Sequence, residues 1–219
     1  MGKLIVIDGL DGSGKTTQFD ILKEKLAEKT AVKSISFPDY QNPSSSLVKM
    51  YLNGEISENA SDVNAYAASS FYAVDRYASY KMFWEKNYLD GELILASRYV
   101  TSNAIHQMGK LPESEWDGYL KWLADYEYAK LGLPEADMVI FLDMPVDISQ
   151  RLMSGRYDGD DSKKDIHEAN VKYLQTCRKS ALYAAEKLGW RIVPCSEDGK
   201  ILSVGDINDK LMQLIKEVL

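Results

Sequence analysis

Lys3-Leu4-Ile5-Val6-Ile7-Asp8-Gly9-Leu10-Asp11-Gly12-Ser13-Gly14-Lys15-Thr16-Thr17-Gln18 runs from a short apolar, β-branched stretch through a glycine-rich turn into a segment where Phe19, Leu22 and Leu26 recur at helical spacing. The first part reads as a buried strand and the last as an amphipathic helix, with Lys23, Glu24, Lys25 and Glu28 on its polar face. Between them, Gly9 to Thr16 spells Gly, four residues, Gly-Lys-Thr, the phosphate-loop pattern in the strand-to-helix context it requires. Glycines let successive backbone N–H groups turn inward, and the helix that follows adds its positive end. Gly9, Leu10, Asp11, Gly12, Ser13, Gly14, Lys15, Thr16 and Thr17 are therefore the expected ATP-binding residues. Within that set, Lys15 meets the β- and γ-phosphates and the Thr16 hydroxyl is placed for Mg²⁺.

Working outward, the spacing predicts further strands at Ala31 to Phe37, Glu92 to Ser97, Asp137 to Asp143 and Arg191 to Cys195. The last carries Pro194, which suits an edge. Ser61 to about Tyr88 has neither Pro nor Gly and predicts one long helix with Ser61 as its cap and Gly91 closing it. Strands that alternate with helices predict an α/β fold, a three-layer arrangement of about five parallel strands with helices on both faces. Ligands of such sheets bind beyond the carboxyl ends of the strands, here after Asp8, Phe37, Ser97 and Asp143. The polar, glycine-bearing stretch from Ser154 to Asp165 predicts a flexible lid, taken as about 151–168 with its flanks.

The 219 residues fit a single domain, residues 1–219, and the formal net charge of −7 with 45% hydrophobic residues is that of a soluble globular chain. An acidic balance argues against a nucleic-acid coat, which needs clustered Lys and Arg. No apolar run approaches the roughly 18 residues that span a bilayer, and the opening residues do not read as a signal peptide. Cys177 and Cys195 are too few for a disulfide framework and lack zinc-site spacing. The expectation is a cytoplasmic protein with small-molecule nucleotides as partners, without nucleic acid or membrane.

A phosphate loop does not separate kinases from switches or motors. Asn208-Asp209-Lys210-Leu211 is not the Asn-Lys-x-Asp of a guanine-specific switch, whereas Arg76, Arg98, Arg151 and Arg156 are spaced as a second anionic site and a closing lid would need. With the loop Gly9 to Thr16 followed by Thr17-Gln18, and with Phe37-Pro38, Tyr72-Ala73-Val74-Asp75-Arg76, Ser97-Arg98-Tyr99 and Asn103, the sequence resembles the thymidylate kinase family over nearly the whole chain. The resemblance implies transfer of the γ-phosphoryl of ATP to dTMP, with Mg²⁺ as cofactor and a homodimer formed through the long helix. It makes Arg98 the clamp on the acceptor phosphate, Arg76 and Asn103 the base readers, and Tyr72 the stacking ring, with Phe71 as the competing ring if the helix phase differs. Phe37, Tyr99, His106 and Gln107 complete the expected dTMP pocket beside Asp11. Lys15, Arg98, Arg151 and Arg156 are the expected catalytic cations.

Two positions depart from the family pattern. Ser97 stands where many members have Asp, so the metal is expected to rest on Thr16, on Asp11 through water, or on Glu168. Gly12 stands where some members carry an arginine, which shifts the catalytic charge to the lid. Two alternatives stay open at this point: a kinase for another deoxynucleoside monophosphate or for a deoxynucleoside, with Asp8 as base, and a non-catalytic ATP-binding interaction protein.

Overall fold

Parallel strands β1 (Lys3–Gly9), β2 (Val32–Ser36), β3 (Leu93–Ser97), β4 (Met138–Asp143) and β5 (Arg191–Pro194) make a sheet in the order β2-β3-β1-β4-β5. The computed structural model describes residues 1–59, 62–156 and 171–219, and the side chains of all of these except 154–156. The strands match the apolar runs of the sequence to within a residue or two at each end, and Pro194 does close the edge strand. The helices are α1 (Lys15–Ala27), α2 (Ser46–Leu52), α3 (Ala65–Ser79), α4 (Glu85–Leu89), α5 (Thr101–His106), α6 (Trp116–Ala124), α7 (Val146–Arg156), α8 (Val171–Leu188) and α9 (Val204–Ile215).

Period-two alternation gives the sheet two buried faces. Ile5, Ile7, Leu95, Ile140 and Leu142 pack on one side against Leu22 and Leu26 of α1 and Leu211 and Ile215 of α9. Leu4, Val6, Ile94, Ala96 and Phe141 pack on the other against Ala104 and Ile105 of α5, Trp116 and Tyr119 of α6, and Leu174 and Ala181 of α8. Cys177 and Cys195 lie in these two cores as free thiols, and burial pushes each up to about 12. Both therefore stay protonated and unreactive near neutral pH. Among the described residues no helix is long and apolar enough to cross a membrane.

The helix expected from Ser61 to Tyr88 is found as one helical run from Ala65 to Leu89, but it is not regular. α3 ends at Ser79, a π-helical turn spans Tyr80–Trp84, and α4 follows. The wider turn buries Tyr80 and Trp84 together, their ring centroids 4.6 Å apart edge to face, while Lys81, Met82 and Phe83 stay exposed. Ser61 lies outside the described residues; the cap of α3 is Asn64, whose side chain accepts the Ala67 N–H at 2.8 Å.

The strand order creates the crevice. From β1 the chain leaves through α1 on one face, and from the adjacent β3 it leaves through α5 on the other, so the two loops part at their carboxyl ends. On its far side the β1–α1 loop is backed by α7. Gly12 has φ +73°, and a Cβ there would stand 2.5 Å from the Ser149 carbonyl oxygen and 2.9 Å from Met153 Cγ. An arginine at this place has no room, which gives a steric reason for the glycine. Gly12→Ala should cost about 1–3 kcal/mol in urea unfolding, from overpacking against a backbone carbonyl. An unchanged unfolding midpoint would mean that α7 does not bear on the loop.

Candidate active site

A cavity of about 840 Å³ opens at the crevice between β1 and β3, within the range of small-molecule sites. Its walls hold Asp11, Gly12, Gly14, Lys15, Thr16 and Thr17 from the phosphate loop, Phe37 after β2, Tyr72 and Arg76 from α3, Ser97 and Arg98 after β3, and Asn103, His106 and Gln107 from α5 and its end. Residues spread over some 100 positions thus meet in one place. Gly9 and Leu10 form the buried root of the loop, with Leu10 in the core, and Ser13 is buried behind it. Gly14 takes the left-handed conformation, φ +84°, at the start of α1, where a side chain would be strained.

Arg98 is the best-fixed cation of the site. Its backbone is left-handed, φ 65°, uncommon for a residue with a side chain and a sign that the surroundings impose it. Its N–H donates to the Ile7 carbonyl at 3.0 Å, locking the loop after β3 to β1. The guanidinium donates through Nη2 to Asp11 Oδ1 and through Nη1 to His106 Nε2 at 2.9 Å, with Asp8 Oδ1 3.7 Å away. A guanidinium can only donate, so His106 Nε2 is the acceptor of that bond. Burial works against the Arg98 charge, but Asp11 and Asp8 outweigh it and the guanidinium is held more firmly protonated than usual. Lys15 is nearly buried; its Nζ donates to the Leu10 carbonyl at 2.7 Å and stands 3.8 Å from Asp11 Oδ1.

Asp8, at the end of β1, is wholly buried and its oxygens are engaged. Oδ1 accepts the Gly9 N–H at 2.8 Å, and Oδ2 accepts the hydroxyls of Thr101 at 2.6 Å and Ser102 at 2.7 Å. It pins the start of α5 to the root of the phosphate loop.

On the opposite wall, Arg76 is 1% exposed and forms a two-pronged ion pair with Glu127, Nε to Oε2 and Nη2 to Oε1, both at 2.6 Å. Burial opposes the Arg76 charge as well, and Glu127 more than restores it. Removing one partner of such a pair strands the other charge at a cost of about 3–5 kcal/mol. The sequence offers no sign of Glu127: it lies between Tyr126 and Tyr128, 51 residues from Arg76, in a π-helical turn (Asp125–Lys130) that continues α6.

Other expectations fare differently. Tyr72, rather than Phe71, borders the cavity, and both pack against Tyr51. Tyr99 does not reach it: the ring is fully buried beside Phe37 and Trp84, and its hydroxyl donates to the Pro134 carbonyl at 2.9 Å. The side chain points into the core because Arg98's left-handed backbone turns the chain there. Arg151 is on α7, well exposed, and pairs with Asp147 at 3.6 Å rather than lining the cavity. Arg156 ends α7, and its side chain, like the whole of Glu168, lies outside the described residues; the helix itself covers the first part of the expected lid segment.

Comparison with known proteins bears on the family and the fold. The family model described as thymidylate kinase matches residues 7–203. The thymidylate kinase of Mycobacterium tuberculosis is 30% identical over 186 residues, 83% of this chain and 84% of the relative. A probable thymidylate kinase of Saccharolobus solfataricus is 27% identical over 188 residues, 85% of this chain and 89% of the relative. The solved thymidylate kinase structure from Candida albicans superposes with a TM-score of 0.70 at 22% identity, covering 99% of this chain and 92% of that one, which is a likeness of fold. With the phosphate loop and its clamped arginine gathered in one cavity, and with the family model matched from the first strand to the segment before the last helix, this protein belongs to the thymidylate kinase family.

Proposed function

We propose that the cavity binds ATP and dTMP together and transfers the γ-phosphoryl group from one to the other, giving ADP and dTDP. The observation that carries this reading is the single cavity in which Lys15 and Arg98 stand on one side and the Arg76–Asn103 wall on the other. A dTMP phosphate oxygen attacks the γ-phosphorus while the bond to the β-phosphate oxygen breaks. That oxygen is already anionic near neutral pH, so no base has to remove a proton, and the barrier lies in bringing two polyanions together. Lys15 neutralises the donor phosphates. Arg98, held by Asp11 and His106, takes the acceptor phosphate with a fork that suits it. Phe37 and Tyr72 wall the base, and His106 and Gln107 flank the sugar.

Mg²⁺ suits the oxygen donors at the mouth of α1. Thr16 and Asp11 both border the cavity, and Asp11 is partly exposed, whereas Asp8 has no oxygen to spare. We assign the metal to Thr16 and the ATP phosphates, with Asp11 acting through water; when bound, the ion supplies positive charge to the transferring phosphoryl group. Arg156, with Arg151 in support, is the cation we assign to the transferring phosphoryl group, since the loop itself has no room for one at Gly12; residues 157–168 of the expected lid lie outside the described residues. The Tyr66, Val74 and Tyr77 side chains lie exposed along one face of α3, and we assign a homodimer contact to that face. The reading is completed by a cytoplasmic location.

The buried state of Asp8 disfavours phosphorylation of a nucleoside, which would need a free carboxylate to take the 5′-hydroxyl proton. A coupled assay of ADP release should show turnover with dTMP, less with dUMP, and almost none with dCMP, with thymidine, or with ATP alone. Lys15→Met should lower kcat by about 10²–10³ with an unchanged circular dichroism spectrum. Wild-type-like turnover in that variant would remove the loop from the chemistry.

The metal side is tested separately. Asp11→Asn should be severe, because it weakens both the hold on Arg98 and the water-mediated metal contact. Ser97→Ala should be mild, because no charge leaves the site. Mg²⁺ titrations of kcat for the two variants check this; the reverse order of severity would assign the metal side to Ser97.

A further inference from the structure

Glu127 is wholly buried, lies outside the phosphate chemistry, and meets the cavity only through Arg76 and Asn103. Its effect on Asn103 follows from hydrogen-bond arithmetic. A side-chain amide has two N–H donors on nitrogen and acceptor capacity on oxygen. Asn103 Nδ2 donates to Glu127 Oε1 at 2.9 Å and to the Ser69 carbonyl at 3.2 Å, so both donors are spent. A flipped amide would set its oxygen against a carboxylate and a carbonyl, acceptor against acceptor twice, among side chains that are almost fully buried. The amide is therefore held with Oδ1 as the group it has left for the cavity. Arg76 is held in the same way: Glu127 takes Nε and one N–H of Nη2, Nη1 leans on the Tyr99 carbonyl at 3.3 Å, and the remaining N–H groups are donors only.

One acceptor beside one donor is the complement of a ring edge that presents an N–H next to a carbonyl. The N3–H and O4 of thymine or uracil have that pattern. Cytosine offers an unprotonated N3 and an amino group, which set acceptor against acceptor at Asn103 and donor against donor at Arg76.

We propose that Glu127 is the positioning residue that sets base specificity, by fixing the orientation of the Asn103 amide and the set of donors that Arg76 has free. The proposal rests on the reading of Arg76 and Asn103 as the base-contacting pair. Glu127 itself touches no substrate. Its carboxylate, an acceptor on both oxygens, opposes the flip together with the Ser69 carbonyl; an amide in its place would offer a donor and remove the stronger, charged part of that opposition.

The test is Glu127→Gln in the full chain, with kcat and KM measured for dTMP and dCMP. The ratio of kcat/KM for dTMP over dCMP should fall by about tenfold or more, since Asn103 could then present either Oδ1 or Nδ2 to the base. The change should sit mainly in KM, because Lys15 and Arg98 are untouched. Unaltered discrimination in a folded Glu127→Gln protein overturns the proposal and leaves the base-contacting pair standing. Equal activity of the wild type on dTMP and dCMP overturns that pair and this proposal with it. Should Glu127→Gln not fold, the wild type still decides. Nitrogen-15 NMR should show both Asn103 side-chain amide protons protected from exchange before dTMP is added as well as after. Protection that arises only with dTMP would mean that the nitrogen faces the base, which overturns the proposal.

Discussion

The site depends on one cation being kept charged and aimed in a place that tends to discharge or displace it. Arg98 stands in the gap where the loops after β1 and β3 diverge, tied by its backbone to Ile7 and by its side chain to Asp11 and His106. Its left-handed backbone is an unfavourable conformation, supported by those contacts and by the rigid sheet on which they are built. Burial strengthens its attraction for an incoming phosphate by lowering the local dielectric, and the nearby carboxylates keep the charge in place until one arrives. Asp8 completes the arrangement from below: by holding Thr101 and Ser102 it fixes the start of α5, which carries Asn103 and His106.

α3 organises the opposite wall by using neighbouring positions in different directions. Asp75, almost fully buried, accepts the Asp39 N–H at 2.8 Å and the Ser44 hydroxyl at 2.6 Å, and so binds the loop after β2 to the helix. Phe37 begins that loop, so the aromatic wall is tied to the helix that carries Arg76. Arg76 turns inward to Glu127, and Tyr72, one turn earlier, borders the cavity. These buried polar links are costly in desolvation and are retained where they order groups that meet a substrate. Two π-helical turns, at Tyr80–Trp84 and Asp125–Lys130, place side chains that a regular helix would have directed elsewhere; the second delivers Glu127.

Much of this was written locally in the chain. The phosphate loop is legible because its chemistry is made by adjacent residues: glycines that permit one backbone path, a lysine and a threonine at fixed offsets, a strand before and a helix after. The five strands are legible because a parallel sheet covered on both faces demands continuous apolar runs. Arg98 was recognisable from its position directly after a buried strand, and Arg76 and Asn103 through the resemblance to a family, although an arginine in a polar helix carries no such message alone.

What the sequence left undetermined depends on contacts between distant residues. The helix read from Ser61 to Tyr88 carries a π-helical turn at Tyr80–Trp84 that its composition does not encode. Tyr99 reads like its neighbour Arg98 as a site residue, yet the turn of the backbone at Arg98 sends its ring into the core. Glu127 reads as one acid among aromatics, and its partner is 51 positions away. The sequence by itself determined the fold class, the phosphate loop and the class of chemistry, because these follow from short-range spacing and periodicity. The tertiary structure alone decided which buried carboxylate faces Arg76, which way the Asn103 amide points and why Gly12 has no side chain, because each is set by which surfaces meet when the sheet and its helices close together.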